Sequence, residues 1–197
     1  RTGGNPFFVT EIARLPSVDG RAVPENVRAA ISQRCSRLSK LANEVLVVAS
    51  AIGREFDFRA VAAVLSDAGE ESLLHALDEA LHAVLIEPLH RLGDSWYHFK
   101  HELVRDALYE STPPGRRAQW HAAILRTIER RVGGWTGDHA AELAAHAARA
   151  EFLVGAATLA RYSRAAAEQK LAAHAFEDAL PLFERAWRAR DPAALDE

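Results

Sequence analysis

Leu85-Ile86-Glu87-Pro88-Leu89-His90, a turn at Gly93-Asp94, and Trp96-Tyr97-His98-Phe99 interrupt a chain that otherwise reads as helix. Apolar residues before this stretch recur every three to four positions. Within it the period shortens, and a Gly-Asp turn separates the two runs, which is the pattern of a β-hairpin. Pro88 has no N–H to give to a ladder, so its strand belongs at a sheet edge.

Upstream, the spacing predicts a succession of helices. Pro24 suits a first helical position, and a helix through roughly Arg37 carries Val27, Ile31 and Leu38 on one face. Ser39 caps the next, whose Leu41, Val45, Val48 and Ile52 keep helical spacing until Gly53 stops it. Asp57 caps a helix over Phe58 to Leu65. Another runs from about Glu70 to Val84 with Leu74, Leu77, Leu81 and Val84 as its stripe. A helix resumes after the hairpin from about Lys100 to Glu110, until Pro113-Pro114-Gly115 breaks it. Three helices followed by a two-stranded wing is the winged-helix order.

Beyond Gly115 every segment reads as helix: Arg116 to Arg131, a loop at Gly133-Gly134-Trp135-Thr136-Gly137, then Ala-rich stretches to about Arg190 and a stop at Asp191-Pro192. Val154-Gly155 and Ala172-Ala173 are the candidate turns. Small residues at Ala165, Ala166, Ala167, Ala172 and Ala179 permit close helix pairing, as in stacked helical hairpins. Pro181 falls inside the last predicted helix, where it removes one backbone bond and predicts a kink. The fold class is therefore mainly α: a winged-helix domain with one small β-hairpin, then helical hairpins. Residues 21–112 form the first part and 113–197 the second.

Composition limits the function. The chain has 197 residues, enough for a sizeable core, and its 49% hydrophobic and 26% charged content is that of an ordinary globular protein. Apolar runs such as Val45 to Ala49 are far too short to span a bilayer. The single cysteine, Cys35, excludes an internal disulfide framework and points to a reducing compartment, the cytoplasm. Residues 21–112 hold ten Lys/Arg against fourteen Asp/Glu, and residues 113–197 twelve against eleven. Neither part is the basic surface that phosphate backbones select. The predicted reading helix, Glu70 to Leu85, carries Glu70, Glu71, Asp78 and Glu79 with no Lys or Arg, so in a major groove it would set carboxylates against phosphates. Direct DNA binding is disfavoured.

Catalytic patterns are absent. None of the eleven glycines is followed by Lys, so no P-loop exists in the chain, and no Gly-x-Ser-x-Gly occurs. Cys35 lies inside a predicted helix and reads as a structural residue. His98 and His101 are three apart but straddle a strand-to-helix junction, and no ligand set at metal-binding spacing completes them. Glu142 and His146 share a helical face as an ordinary i,i+4 pair. The first eight residues, Arg1-Thr2-Gly3-Gly4-Asn5-Pro6-Phe7-Phe8, read as a turn and the start of a short helix over residues 6–15. With no Met in the chain and no domain ahead of that turn, the sequence reads as a fragment of a larger protein.

Four motifs in order resemble one family. Gly3-Gly4-Asn5-Pro6-Phe7-Phe8-Val9-Thr10-Glu11 is similar to the G-N-P-F/Y motif in the helical lid of STAND-type signalling ATPases. These include large ATP-binding LuxR-type transcriptional regulators and the ATPase modules attached to bacterial nucleotide cyclases. Val23-Pro24-Glu25-Asn26-Val27-Arg28, Ala51-Ile52-Gly53-Arg54-Glu55-Phe56 and Tyr97-His98-Phe99-Lys100-His101-Glu102-Leu103-Val104-Arg105 resemble their winged-helix segment. The resemblance implies that residues 1–20 are the end of the lid and that a P-loop domain of the same protein is the partner of this piece. In apoptosis-activating and plant resistance ATPases a Gly-x-Pro turn lies against the nucleotide base, and Gly4 and Pro6 match it. Those relatives also carry a Met-His-Asp motif whose His reaches the ADP phosphates. Lys100-His101-Glu102 resembles it, with Lys for Met and Glu for Asp. ATP or ADP would thus be the cofactor of the intact parent, with none held by this piece alone. The C-terminal part resembles tetratricopeptide (TPR) repeats through Phe176, Ala179, Phe183, Ala186 and Ala167, without the large residues expected at Ser163 and Lys170.

The implied function is regulatory: lid and winged helix close over nucleotide, and the helical repeats sense an effector or protein partner. The alternative is a protein-interaction scaffold module with no nucleotide role.

Overall fold

Two side chains start two of the helices in unit 1. Ser39 Oγ accepts a hydrogen bond from the Ala42 amide at 3.0 Å, and Asp57 Oδ1 accepts one from the Ala60 amide at 2.7 Å. They open α2 (Lys40–Ile52) and α3 (Phe58–Val64). A computed structural model describes residues 25–91, 94–133 and 137–190. Gly4 and Pro6, the helix over residues 6–15, the opening position of Pro24, the turn residue Gly93, the loop at residues 134–136 and the stop at Asp191-Pro192 lie outside the described residues.

The remaining elements are α1 (Glu25–Cys35), β1 (Glu55–Asp57), α4 (Glu70–His82), β2 (Ile86–Arg91), β3 (Asp94–Phe99), α5 (Glu102–Ser111), α6 (Pro114–Val132), α7 (Ala140–Arg149), α8 (Glu151–Val154), α9 (Ala156–Ala172) and α10 (Phe176–Arg190). A short 3-10 turn, Gly137–His139, precedes α7. The chain is mainly helical, with one small antiparallel sheet. Backbone contacts divide it into two units, Arg1–Pro113 and Pro114–Glu197.

In the first unit the sheet has three strands rather than the expected two, in the order β1-β3-β2. β1 pairs antiparallel with β3, setting Glu55 opposite His98 and Phe56 opposite Tyr97. Three residues are too few to show alternation, so β1 leaves no periodic signal. β2 pairs with β3 from Ile86 opposite Phe99 to Arg91 opposite Asp94, and Pro88 indeed sits on an edge strand. Phe56 and Phe99 anchor the sheet, fully buried with ring centroids 5.6 Å apart. The core they join contains Val45, Leu46, Leu73, Leu77, Leu85 and Val104.

Three local expectations need correction. The buried face of α4 is Leu73, Ala76, Leu77 and Ala80, while Leu74 and Val84 are exposed, so the stripe is rotated by one position from the predicted one. Val84 lies beyond the helix at φ 58° and takes the left-handed position of a Schellman cap. The Leu85 amide donates to Ala80 O at 3.2 Å and the Val84 amide to Leu81 O at 2.9 Å. Pro114 opens α6 instead of only breaking α5, because a first helical position needs no N–H. Gly53 ends α2 as expected, in an extended conformation.

The second unit packs around Ile124, Leu125, Leu143, Leu159 and Tyr162 with many buried alanines. Ala166, Ala167 and Ala179 are buried where α9 and α10 pack together and α9 meets α7, whereas Ala172 is exposed. Gly155, at φ 84°, separates α8 from α9, and His174, at φ 58°, forms a second Schellman cap between α9 and α10. α10 continues through Pro181.

Candidate functional site

Of the three candidate nucleotide contacts, Gly4 and Pro6 lie outside the described residues and His101 lies within them. Phe99 is locked in the core at the end of β3, and the Lys100 amide donates to Leu85 O at 3.1 Å. These two ties bring the chain to His101, the extended N-cap of α5 (φ −135°, ψ 136°), whose side chain makes no capping bond. Its carbonyl accepts from the Val104 amide at 3.0 Å. The Glu102 and Leu103 amides have no acceptor within the helix by geometry, so the partial positive charge of the helix end falls beside the half-buried imidazole.

The surroundings are rich in cations. Lys100 Nζ is 2.8 Å from Glu87 Oε1, and His98 Nε2 is 3.7 Å from Glu87 Oε2 across the β2–β3 pair. Burial holds His101 below the usual histidine value; Lys100 adds to that, Glu87 opposes it, and Arg34 at the end of α1 adds again. Glu87 is itself held below the usual carboxylate range, chiefly by the Lys100 hydrogen bond. His101 is therefore a neutral ring at neutral pH that follows Lys100 in the chain and feels the charges of Lys100, Glu87 and Arg34. An anion arriving there would meet an imidazole, the Lys100 ammonium and the positive end of α5, which is the chemistry of a phosphate contact.

Arg34 also lines a hollow of about 950 Å³ between the end of α1 and α4, with Arg37, His75, Asp78, Glu79 and His82. Its wall is braced where the Ser39 amide donates to Glu79 Oε2 at 2.7 Å. Sequence reasoning named neither Arg34 nor Glu87 as site residues. More than fifty positions separate Arg34 from the hairpin, and no local pattern relates them.

Other candidates sort as follows. Cys35 ends α1, half-buried, and burial pushes its thiol up, which disfavours the reactive thiolate. Among the described residues no group of three His, Cys, Asp or Glu side chains could hold a metal ion. Among them, too, no helix is long and apolar enough to cross a membrane. Glu142 bonds His139 at 3.1 Å, whereas His146 turns inward to His121, Nδ1 to Nδ1 at 2.8 Å.

An uncharacterized protein from Rhizobium meliloti (strain 1021) is 27% identical to the chain over 160 residues, covering 76% of the chain and 16% of that protein. The chain thus spans less than a fifth of the relative's length. No family model and no solved structure matches it.

Proposed function

We propose that this chain is a regulatory part of a STAND-type signalling ATPase, of the LuxR-type regulator or cyclase-associated kind. In this reading residues 1–20 end the helical lid, and unit 1 is the winged helix that closes with it over ATP or ADP held by a P-loop domain elsewhere in the parent. The TPR-like helices couple an effector or partner to opening. ATP hydrolysis would reside in the P-loop domain, because this chain has no Gly-Lys phosphate cradle.

One observation carries the reading: His101 sits at the N-terminal end of α5, directly after Lys100, in the segment that resembles the phosphate-contacting motif. A neutral imidazole donates one hydrogen bond to a phosphate oxygen, and a bound phosphate raises its proton affinity. Nucleotide retention by the parent would then strengthen as pH falls below neutral. In the intact parent, His101→Ala is expected to speed ADP release about tenfold or more, the loss of one charge-assisted hydrogen bond, and to raise basal output. ADP off-rate and reporter output both equal to wild type would sink the assignment.

The scaffold reading has one observation in its favour, the apolar side chains exposed on α10. An upstream P-loop in the parent gene separates the two readings, since a pure scaffold needs none.

A further inference from the structure

Helix α10 has two apolar faces, and among the described residues only one is covered. Ala179, Ala186 and Ala189 are buried, and α9 is the helix that packs on α10. Phe176, Leu180 and Trp187 are 61%, 61% and 64% exposed, with Phe183 half-buried among them. These four follow i, i+4, i+7, i+11. At about 100° per residue they form one narrow strip, rotated roughly a quarter turn or more from the alanine face. That spacing is the seam by which two helices pair. A hollow of about 490 Å³ runs along the strip, lined by Leu180, Phe183 and Trp187 and bordered by Arg164 of α9.

The charges on α10 are distributed unequally along its length. Glu177 and Asp178 occupy the first turn, Arg188 and Arg190 the last. By helical spacing Glu177, Glu184 and Arg188 lie on the same flank of the apolar strip. The present partners of these charges are exposed and hold them weakly: Arg188 is 3.9 Å from Glu184, and Asp178 is 3.1 Å from Lys170.

We infer that this strip docks on the same strip of a second copy of the chain, antiparallel about a two-fold axis. Reversal of direction sets Phe176 opposite the other copy's Trp187 and Leu180 opposite its Phe183, so the seam matches large residue to large residue. It also sets the acidic first turn of each helix beside the basic last turn of the other, and the Glu177–Arg188 contact is made twice, as an isologous interface requires. A parallel pairing would put acid on acid and base on base. α10 carries three acidic and three basic side chains, so over its length a strongly acidic or basic partner gains less than its own copy does. The interface would bury on the order of 800 Å² in total, below the size of stable complexes, which places the association in the micromolar range or weaker. The inference is independent of the nucleotide reading.

Sedimentation equilibrium of the full chain at roughly 10 to 500 µM, a span that brackets such an affinity, is expected to show a monomer–dimer equilibrium. Leu180→Asp should abolish the dimer, with circular dichroism reporting an unchanged helix content. Glu177→Arg or Arg188→Glu alone should weaken association about tenfold. The two together should restore it, because each new Arg faces a new Glu on the other copy. A chain that stays monomeric throughout overturns the inference and leaves the face to a helix of another segment or protein. A dimer indifferent to Leu180→Asp overturns it as well, by placing the contact elsewhere. Failure of the double reversal to restore the dimer rules out the antiparallel pairing.

Discussion

His121 and His146 show what burial does to an ordinary titratable residue. Both rings are buried, and their Nδ1 atoms are 2.8 Å apart, so one ring donates its Nδ1–H while the other accepts through a bare Nδ1. The accepting ring cannot take a proton on Nδ1 without losing that bond, and a proton on the other ring would be a buried charge. Burial holds His121 below its ordinary value of 6.5, helped by His146 and by the guanidinium groups of Arg149 and Arg117. Burial likewise holds His146 down, with Glu142 opposing and Arg149 assisting. Each folded value lies below the unfolded one, so the unfolded chain binds protons that the folded pair refuses. Stability from this pair is full above pH 6.5 and falls as pH drops below it, by up to about 1.4 kcal/mol per pH unit for each ring. Thermal melts at pH 7 and pH 5 should show a larger loss for the wild type than for the His121→Asn/His146→Asn variant. Equal losses in the two proteins would remove the pair as the cause. Both histidines were visible in the sequence, yet the i,i+4 spacing paired His146 with Glu142. That spacing cannot see α6, which lies on the far side of a loop. The candidate phosphate contact was half legible in the same way. The run Phe99-Lys100-His101-Glu102 nominates His101, but Arg34 and Glu87 reach it only through the packing of α1 and the register of β2.

At the level of elements, the ends explain the misreadings better than the middles. Capping is chemistry between residues two or three apart, so Ser39 and Asp57 could be read directly, and both caps are made. Val84 could not be read that way. A branched side chain at φ 58° is disfavoured by about 1 to 2 kcal/mol, and local preference would put Gly there. It is tolerated because the turn delivers Leu85 and Ile86 into the core, where both are almost completely buried. Since Val84 itself is 45% exposed, little packing is lost on trimming it. Val84→Gly is therefore expected to stabilise the chain by roughly 0.5 to 1 kcal/mol, the relieved strain less the added freedom of the unfolded glycine. A denaturant midpoint unchanged or lowered by this substitution would show that the turn is not strained as its dihedral implies. β1 teaches a related lesson. No local pattern marks Phe56 as a strand residue, yet it pairs opposite Tyr97 and stacks on it at 5.8 Å. A three-residue strand exists only because β3 is already there to receive it.

At the scale of the molecule, net charge and its placement are read from residue counts alone, and they carry a prediction of their own. The formal charge is −3, and α4 places Glu70 and Glu71 in its first turn. Repulsion from a phosphate backbone should leave the isolated chain without measurable duplex-DNA binding even at low salt, where such binding is strongest. A salt-dependent shift of a labelled duplex at submillimolar chain would contradict this, and with it the protein-facing role given to unit 1. The hairpin, the edge position of Pro88 and the mainly helical class follow from patterns a few residues long, because hydrogen-bond periodicity and proline chemistry act over that range. Tertiary structure alone decided which face of α4 is buried, that β1 joins the sheet, that His146 meets His121, and that Glu87 pairs with Lys100. Each of these joins residues more than a few positions apart or depends on a partner surface, and no local preference encodes the distance between them.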